Sequence, residues 1–489
     1  MSITNLNYRV IARIFGITLI IIGVAMLIPW IYAEITGDSD AAYSFRLCAP
    51  MTIAVGAVIS ILSKSHTGKF RAREGCIVVA FCWIIASFVG AFPYYLSDFT
   101  NNFIDAFFES TAGFTTTGCT AVSGSTLSES LILWKAVTNW LGGMGILLFV
   151  ISILPALGIN GQVIAKAETP GPVFEKTTVR LRDSARILYI TYFSFTLIEF
   201  ILLLLSGKMP VYDAIVNTMG SISTGGVLVH SEGIAYYDSL YVEIVISVFC
   251  ILASINFIMY HYVMAGKFNA IIKNIELRAY LIIIASAIIL CAAGLWVYND
   301  ESPAMALRDS FFQVISMATT AGYVRSPYII WPTMCQIILI ALMFTGGCAA
   351  STSGSVKLIR VLVMFKLIWR GCVKRIHPRS VVPVKIADNI LSAAVVSQIT
   401  VFLLTYMLIF LLSSFVLSFQ GLDLETTITA TLALLSNTGC GFGETAAMGS
   451  FSMFHPALKL YLSFLMIVGR LELFTIVVLF TRNFWGHDR

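Results

Sequence analysis

Apolar residues run through this chain in blocks long enough to cross a bilayer. A helix spanning the hydrocarbon core needs about 20 mostly apolar residues. Blocks near that length cover Val10–Tyr32, Cys48–Ser63, Cys76–Leu96, Leu131–Leu157 and Ile187–Ser206. They continue at Leu240–Ala265, Tyr280–Val297, Trp331–Trp369, Ile390–Leu417 and Ala457–Phe480. Ten crossing units are predicted, an even number that places both termini on one side. The first block is too long for a signal peptide and another span follows it, so it reads as a retained helix.

Between some of these spans lie apolar segments too short to cross. They read DAFFESTAGFTTTGCT from Asp105, DAIVNTMGSISTGGVL from Asp213 and DSFFQVISMATTAGYV from Asp309. In each, a glycine follows the Asp by thirteen residues: Gly118, Gly226 and Gly322. Two residues before it stands a threonine: Thr116, Thr224 and Thr320. A fourth segment, ETTITATLALLSNTGCGFG from Glu425, ends in a similar glycine-rich turn. This is an internal repeat of span, half-helix, glycine-rich loop and span, occurring four times after an extra N-terminal pair. The fold class that follows is an all-α polytopic membrane protein. Its divisions fall at 1–70 for the N-terminal pair, then 71–160, 161–266, 267–375 and 376–489 for the four repeats.

Composition agrees with this reading. Of 489 residues, 58% are apolar and 12% charged, about half the charge a soluble domain carries. The net charge of +5 is unevenly spread. Lys and Arg gather at Lys64–Arg73, Lys166–Arg186, Lys267–Arg278 and Arg360–Lys385, whereas Glu34–Ser44 and Ser97–Leu131 carry acids and no base. By the positive-inside rule the basic loops are cytoplasmic, as are both termini. That charge speaks of topology and a solvated face, not of nucleic acid, although a regulatory partner docking there fits it too. The ten cysteines show no CxxC and no Cys/His spacing, which argues against disulfides and zinc.

Non-helical backbone at membrane depth survives only where it lines water or protein. Four such loops would surround one axis, with glycine leaving the hole clear and carbonyl rings replacing the hydration shell of a cation. The threonines add oxygens below them, and the half-helices point their partly negative C-termini at the ion. Asp98, Asp105, Asp213, Asp309 and Glu425 either raise the local cation concentration or cap helices, and capping is the preferred reading for Asp105, Asp213 and Asp309.

Trp331–Trp369 is too long for one crossing. Its middle, Gly346, Gly347, Cys348, Ala349, Ala350, Ser351, Thr352, Ser353 and Gly354, is almost wholly small residues with low helix propensity. Two readings stay open: a loop that occludes a pore and moves aside, or a close helix–helix contact. Arg470 falls in the middle of the last predicted span, where a lone charge costs at least ~2.5–3.5 kcal/mol without a partner. Carbonyls of the Gly346–Gly354 stretch or an aqueous cavity would supply one, since Glu472 lies on another helix face. Lys459 reads as structural, able to snorkel outward. Lys135 and Glu199 carry no assigned role.

Taken in order, TTTG at Thr115–Gly118, STGG at Ser223–Gly226, TTAG at Thr319–Gly322, NTGCG at Asn437–Gly441, GGCAASTSGSVK at Gly346–Lys357 and GRLE at Gly469–Glu472 carry a likeness. The chain resembles the TrkH-type potassium uptake proteins of the Trk/Ktr/HKT superfamily of cation transporters over essentially its whole length. That resemblance implies four M1–P-loop–M2 units around a pseudo-fourfold pore, plus two N-terminal helices, in a bacterial inner membrane. It implies potassium as substrate with no covalently bound cofactor. Its filter residues would be Thr116, Thr117, Gly118, Thr224, Gly225, Gly226, Thr320, Ala321, Gly322, Asn437, Thr438 and Gly439. Gly346–Gly354 would be an intramembrane gate with Arg470 beside it. It further implies a homodimer with one pore per subunit and a cytoplasmic nucleotide-binding ring of the TrkA kind. Glycine at Gly118 is similar to potassium-selective members; sodium-preferring relatives often carry serine. In the fourth loop Gly441 rivals Gly439 for the filter position, and Asn437 replaces threonine, an asymmetry that weakens selectivity.

Two other functions are weighed. A symporter coupling potassium or sodium to protons would use buried acids, and the spans offer few besides Glu199 and Glu243. An enzyme needs a nucleophile with its base or a bound metal. The six dispersed histidines, His66, His230, His261, His377, His455 and His487, form no such arrangement.

Overall fold

A computed structural model describes residues 6–63, 72–122, 127–145, 181–386, 389–446, 450–471 and 473–485. The far half of the Leu131–Leu157 span, the basic stretches at 64–71 and 166–180, and Glu472 lie outside the described residues. The first apolar block forms α1 (Tyr8–Ala25) and α2 (Leu27–Thr36), which run on as one span, and α3 (Ser39–Leu62) returns against α1. Asn7 and Asp38 start these helices by accepting the Val10 and Ala41 amides, as residues of their type do at N-caps.

Each repeat then shows the same three parts. The first has α4 (Ala72–Leu96), the half-helix α5 (Phe103–Phe114) and α6 (Glu129–Gly143). The second has α7 (Leu181–Leu205), α8 (Val211–Ile222) and α9 (Leu240–Ser254), followed by the short α10 (Ile258–Met264) and α11 (Phe268–Ile272). The third has α12 (Ile275–Tyr298), α13 (Pro303–Ala318), α14 (Thr333–Thr345) and α15 (Leu358–Ile376). The fourth has α16 (Ala393–Ser418), α17 (Leu424–Leu435) and α18 (Pro456–Arg470), with α19 (Phe474–Val477) beyond. A hairpin pairing Lys385–Ile386 with Asn389–Ile390 is the only β ladder among the described residues.

Packing closes these units into a ring. Within every repeat the half-helix lies against the span before it and the helix after it. That following helix also packs on the next half-helix: α6 on α8, α9 on α13, α14 on α17, and α18 back on α5. The spans α7, α12 and α16 stand outside this ring with apolar faces outward, as Leu197, Ile282, Leu404 and Leu411 show by their exposure. The half-helices are the reverse: Glu109, Ser110, Thr111, Asn217, Ser221 and Gln313 are buried. A polar interior inside an apolar shell is what a bilayer solvent selects.

Three predicted spans prove to be interrupted. The Leu240–Ala265 block bends by 101° between α9 and α10. Trp331–Trp369 divides into α14 and α15 around residues 346–357, and the last span stops at Arg470, with Leu473 at φ +52 before α19. Continuous hydropathy hid the first and last of these breaks because a kink costs no apolar residues, whereas the middle one falls in the small-residue stretch that the sequence marks.

Candidate functional site

The four half-helices end alike. Thr116, Thr224, Thr320 and Asn437 take φ of +54, +52, +59 and +55 one residue past the C-cap. Each N–H of these residues returns to the helix (Thr116 to the Gly113 carbonyl, Thr224 to Ser221, Thr320 to Met317, Asn437 to Leu434). The following amides of Thr117, Gly225, Ala321 and Thr438 bond to the carbonyls of Ala112, Gly220, Ser316 and Ala433 at 2.8–3.0 Å. These are four Schellman motifs, usually built on glycine. A β-branched residue in the left-handed region costs about 1–2 kcal/mol, so three threonines there are held by their surroundings and not by preference. With its N–H groups spent on its own helix, each turn keeps its carbonyls for other uses.

The turns then meet in a closed cycle. A Cβ on Gly118 would lie 2.0 Å from the Gly225 carbonyl oxygen, on Gly226 2.2 Å from that of Ala321, on Gly322 2.1 Å from that of Thr438, and on Gly439 1.8 Å from that of Thr117. All four glycines have positive φ, between +54 and +83. Only glycine fits where backbone approaches backbone this closely. The fourth turn takes the backbone of the others at Asn437 and Gly439, whereas Gly441 is outside the cycle and faces Thr445 and Thr429.

Beneath the cycle lies residues 346–357, buried and fastened at many points. Cys348 and Thr352 donate their amides to the carbonyls of Ser254 and Ala253, where α9 ends. Ala349 N–H donates to Glu276 Oε1 at 2.7 Å, and Lys357 Nζ donates to Ser351 Oγ, Ser353 Oγ and the Ser353 carbonyl. Three contacts tie the loop to the turns. Gly354 N–H donates to Thr320 Oγ1 at 2.9 Å, Thr224 Oγ1 donates to Thr352 Oγ1 at 3.2 Å, and a Cβ on Gly354 would meet the Ser436 carbonyl at 2.1 Å. Arg470, the last residue of α18, donates to the Thr352 carbonyl at 2.7 Å and the Gly142 carbonyl at 2.8 Å. It therefore joins the loop to the end of α6, with the carbonyl partner the sequence suggested. It does so at a helix end, not in mid-span.

Several expectations are corrected. Asp105 and Asp213 sit in the first turns of α5 and α8 without capping them; Asn102 caps α5 by accepting the Ile104 amide. Asp309 lies deeper in α13, capped by Ser302. All three acids are bound instead to bases: Asp105 to Lys459 at 2.7 Å, Asp213 to His230 at 2.9 Å, and Asp309 to Arg325. In the fourth repeat the cap is Asp423, which accepts from Thr426 N–H at 3.1 Å. Lys459 does not snorkel; it is buried and also donates to the Ala121 carbonyl at 3.0 Å. Arg360, read as part of a solvated face, is buried with its guanidinium 3.8 Å from the Phe402 ring centre. Glu243 is held by Arg308 and Arg325 at 2.8 and 2.9 Å, and Glu199 accepts from Ser221 Oγ at 2.6 Å.

The sequence reading missed Glu109, Gln313 and Glu276, which hold the turns or the loop, and quoted Lys357 in its motif without a role for the side chain. Glu109 and Gln313 stand nine residues before their glycines, so the repeat register carried a signal for them. Glu276 carried none, because its partner is 73 positions away.

Four re-entrant half-helices closing a backbone ring inside a shell of lipid-facing spans define an all-helical, multi-pass membrane transport protein. Comparison with known proteins narrows this. A model of the TrkH family, described as cation transport protein, matches residues 44–486. The Trk system potassium uptake protein TrkH of Escherichia coli K12 is 33% identical over 485 residues, covering 98% of this chain and 100% of that protein. The Trk system potassium uptake protein TrkG of the same organism is 32% identical, covering 98% and 99%. The crystal structure of the potassium transporter TrkH from Vibrio parahaemolyticus matches with a TM-score of 0.87 at 30% identity, over 98% of this chain and 100% of that one. The chain belongs to the TrkH family of cation transport proteins, transporters and not enzymes.

Proposed function

We propose that the protein takes up potassium across the bacterial cytoplasmic membrane through one gated pore on the axis of the four turns. The observation that carries this is the closed cycle in which Gly118, Gly226, Gly322 and Gly439 each abut the next turn's carbonyl. Carbonyls ranked around an axis, with half-helix C-termini behind them, replace the water of a dehydrated cation. On this reading the filter is Thr116–Gly118, Thr224–Gly226, Thr320–Gly322 and Asn437–Gly439. The names of the relatives supply potassium as the ion carried.

Residues Gly346–Gly354 form the gate below it, and Arg470 holds that gate shut by binding the Thr352 carbonyl. A guanidinium in the path also repels cations while the pore is closed. The repeats divide at 71–160, 161–266, 267–375 and 376–489, with 1–70 as an accessory pair and both termini cytoplasmic. A TrkA-type nucleotide-binding ring on the cytoplasmic face and a second copy of the chain complete the assembly on family grounds. Coupling to protons is the weaker reading, since Glu243 is already neutralised by Arg308 and Arg325.

Purified protein in liposomes, with tracer rubidium uptake followed at two proton gradients, tests the proposal. Uptake should follow the potassium gradient and ignore the proton gradient. Uptake driven by the proton gradient would establish a carrier and turn attention to Glu199.

A further inference from the structure

The turns differ in what holds the chain just beyond the filter glycine, and the difference centres on one half-helix position. Nine residues before Gly118, Gly226 and Gly322 stand Glu109, Asn217 and Gln313. In the third repeat the Gln313 amide fastens the outgoing chain, helped by the Ser316 hydroxyl, which donates to the Tyr323 carbonyl at 2.7 Å. Gln313 Nε2 donates to the Tyr323 carbonyl and Gln313 Oε1 accepts the Arg325 N–H, both at 3.4 Å. These two backbone groups lie one and three residues past the glycine.

In the first repeat the same two groups are held by two charged side chains. Lys135 Nζ donates to the Cys119 carbonyl at 2.8 Å. Glu109 Oε2 accepts the Ala121 N–H at 3.0 Å and the Thr120 hydroxyl at 3.1 Å. Lys135 Nζ also meets Glu109 Oε1 at 2.6 Å, with side chains only 6% and 0% exposed. Asn217 in the second repeat turns away, donating to the Asp213 carbonyl at 2.9 Å and Tyr237 Oη at 3.4 Å.

We propose that Glu109 and Lys135 act together as a split amide, positioning residues that fix the outer end of the first filter turn and so set ion discrimination. The proposal rests on the filter reading above. Charge-assisted hydrogen bonds are stronger than neutral ones, and the Lys135 and Glu109 bonds, at 2.8 and 3.0 Å, are shorter than the 3.4 Å bonds of the Gln313 amide. Two residues before Cys119, the Thr117 carbonyl lies against Gly439, so movement of residues 119–121 reaches the ring directly. Losing one member of a buried pair strands the other charge, whereas replacing both removes that cost and leaves only the Cys119 carbonyl and Ala121 N–H to be satisfied.

The test uses the full chain in liposomes and reads the ratio of rubidium to sodium uptake, with elution and thermal unfolding as folding controls. E109Q/K135M rebuilds the amide of the third repeat and should keep the ratio within about twofold of the parent protein. E109L/K135M fills similar space without a bonding group and should lower it about tenfold, the effect of roughly 1.4 kcal/mol. If the leucine variant does not accumulate, E109Q alone, with Lys135 stranded, should show the loss that E109Q/K135M restores. Equal ratios in the two double variants, or a glutamine double as poor as the leucine one, overturn the proposal. G118S measured alongside separates the two readings. If it loosens discrimination while the doubles stay alike, the filter stands and the split amide falls; if it changes nothing, the filter reading itself falls.

Discussion

The four turns at the ring and the four helices that lead away from them obey opposite rules. The turns are near copies, with left-handed residues at the same two positions, the same pair of amide bonds back to the half-helix, and a glycine against the next carbonyl. The helices below end in four ways. In the described residues α6 stops at Gly143, α9 folds over by 101° into α10, α14 gives way to residues 346–357, and α18 stops at Arg470. A dehydrated ion is held by all sides at once, so each turn must contribute equally. Blocking a pore needs one obstacle, and a second copy of it would only crowd the axis. On the proposed reading, symmetry therefore persists where the ion would bind and breaks where passage would be controlled.

The sharpest way to break this division is at the ring. In G118S the new Cβ meets the Gly225 carbonyl oxygen at 2.0 Å from a backbone at φ +76. Left-handed strain and overpacking together amount to about 2–3 kcal/mol, so potassium over sodium discrimination should fall on the order of a hundredfold. The rubidium-to-sodium uptake ratio measures it, and an unchanged ratio would remove Gly118 from the filter.

Arg470→Ala should act on passage and leave discrimination alone. Two charge-assisted bonds to the Thr352 and Gly142 carbonyls disappear, and basal rubidium leak should rise about tenfold. Deleting part of Gly346–Gly354 should raise it likewise. A pore that stays closed in both variants would reduce that loop to packing.

The smallest effect is expected where the two regions touch. Thr320→Val keeps the branched shape at φ +59 but removes the acceptor for the Gly354 N–H at 2.9 Å. Loss of about 1 kcal/mol should raise basal leak roughly fivefold. A shift in ion discrimination without added leak would place Thr320 wholly in the filter and show that the loop is held elsewhere.

Much of this arrangement was legible in the chain. The Asp-to-Gly spacing locates three turns from the sequence alone, because a repeated function on one axis repeats its residues at a fixed interval. Asn437 blurred the fourth by changing the residue type, and Glu425 misled the count: Thr426 stands thirteen residues before Gly439, in a half-helix of the same length as the first. The charges were read less well. Asp105 looked like a helix cap, since its partner Lys459 is 354 positions away, and capping is the local explanation for an acid near a half-helix start. In sequence, Lys459 reads as a structural, snorkelling residue and Lys135 carries no assigned role, for the same reason.

The sequence by itself determined the membrane class, the fourfold repeat, the glycine positions and the one stretch too polar and too long for a span. Those follow from hydropathy and spacing, which act locally and leave a periodic mark. Only the tertiary structure decided the register of Asn437 and Gly439, the breaks after Ser254 and at Arg470, and the partners of Asp105, Asp213, Asp309 and Glu243. A charge inside a bilayer is bearable only beside its partner, and which residue becomes that partner depends on how distant helices close the ring.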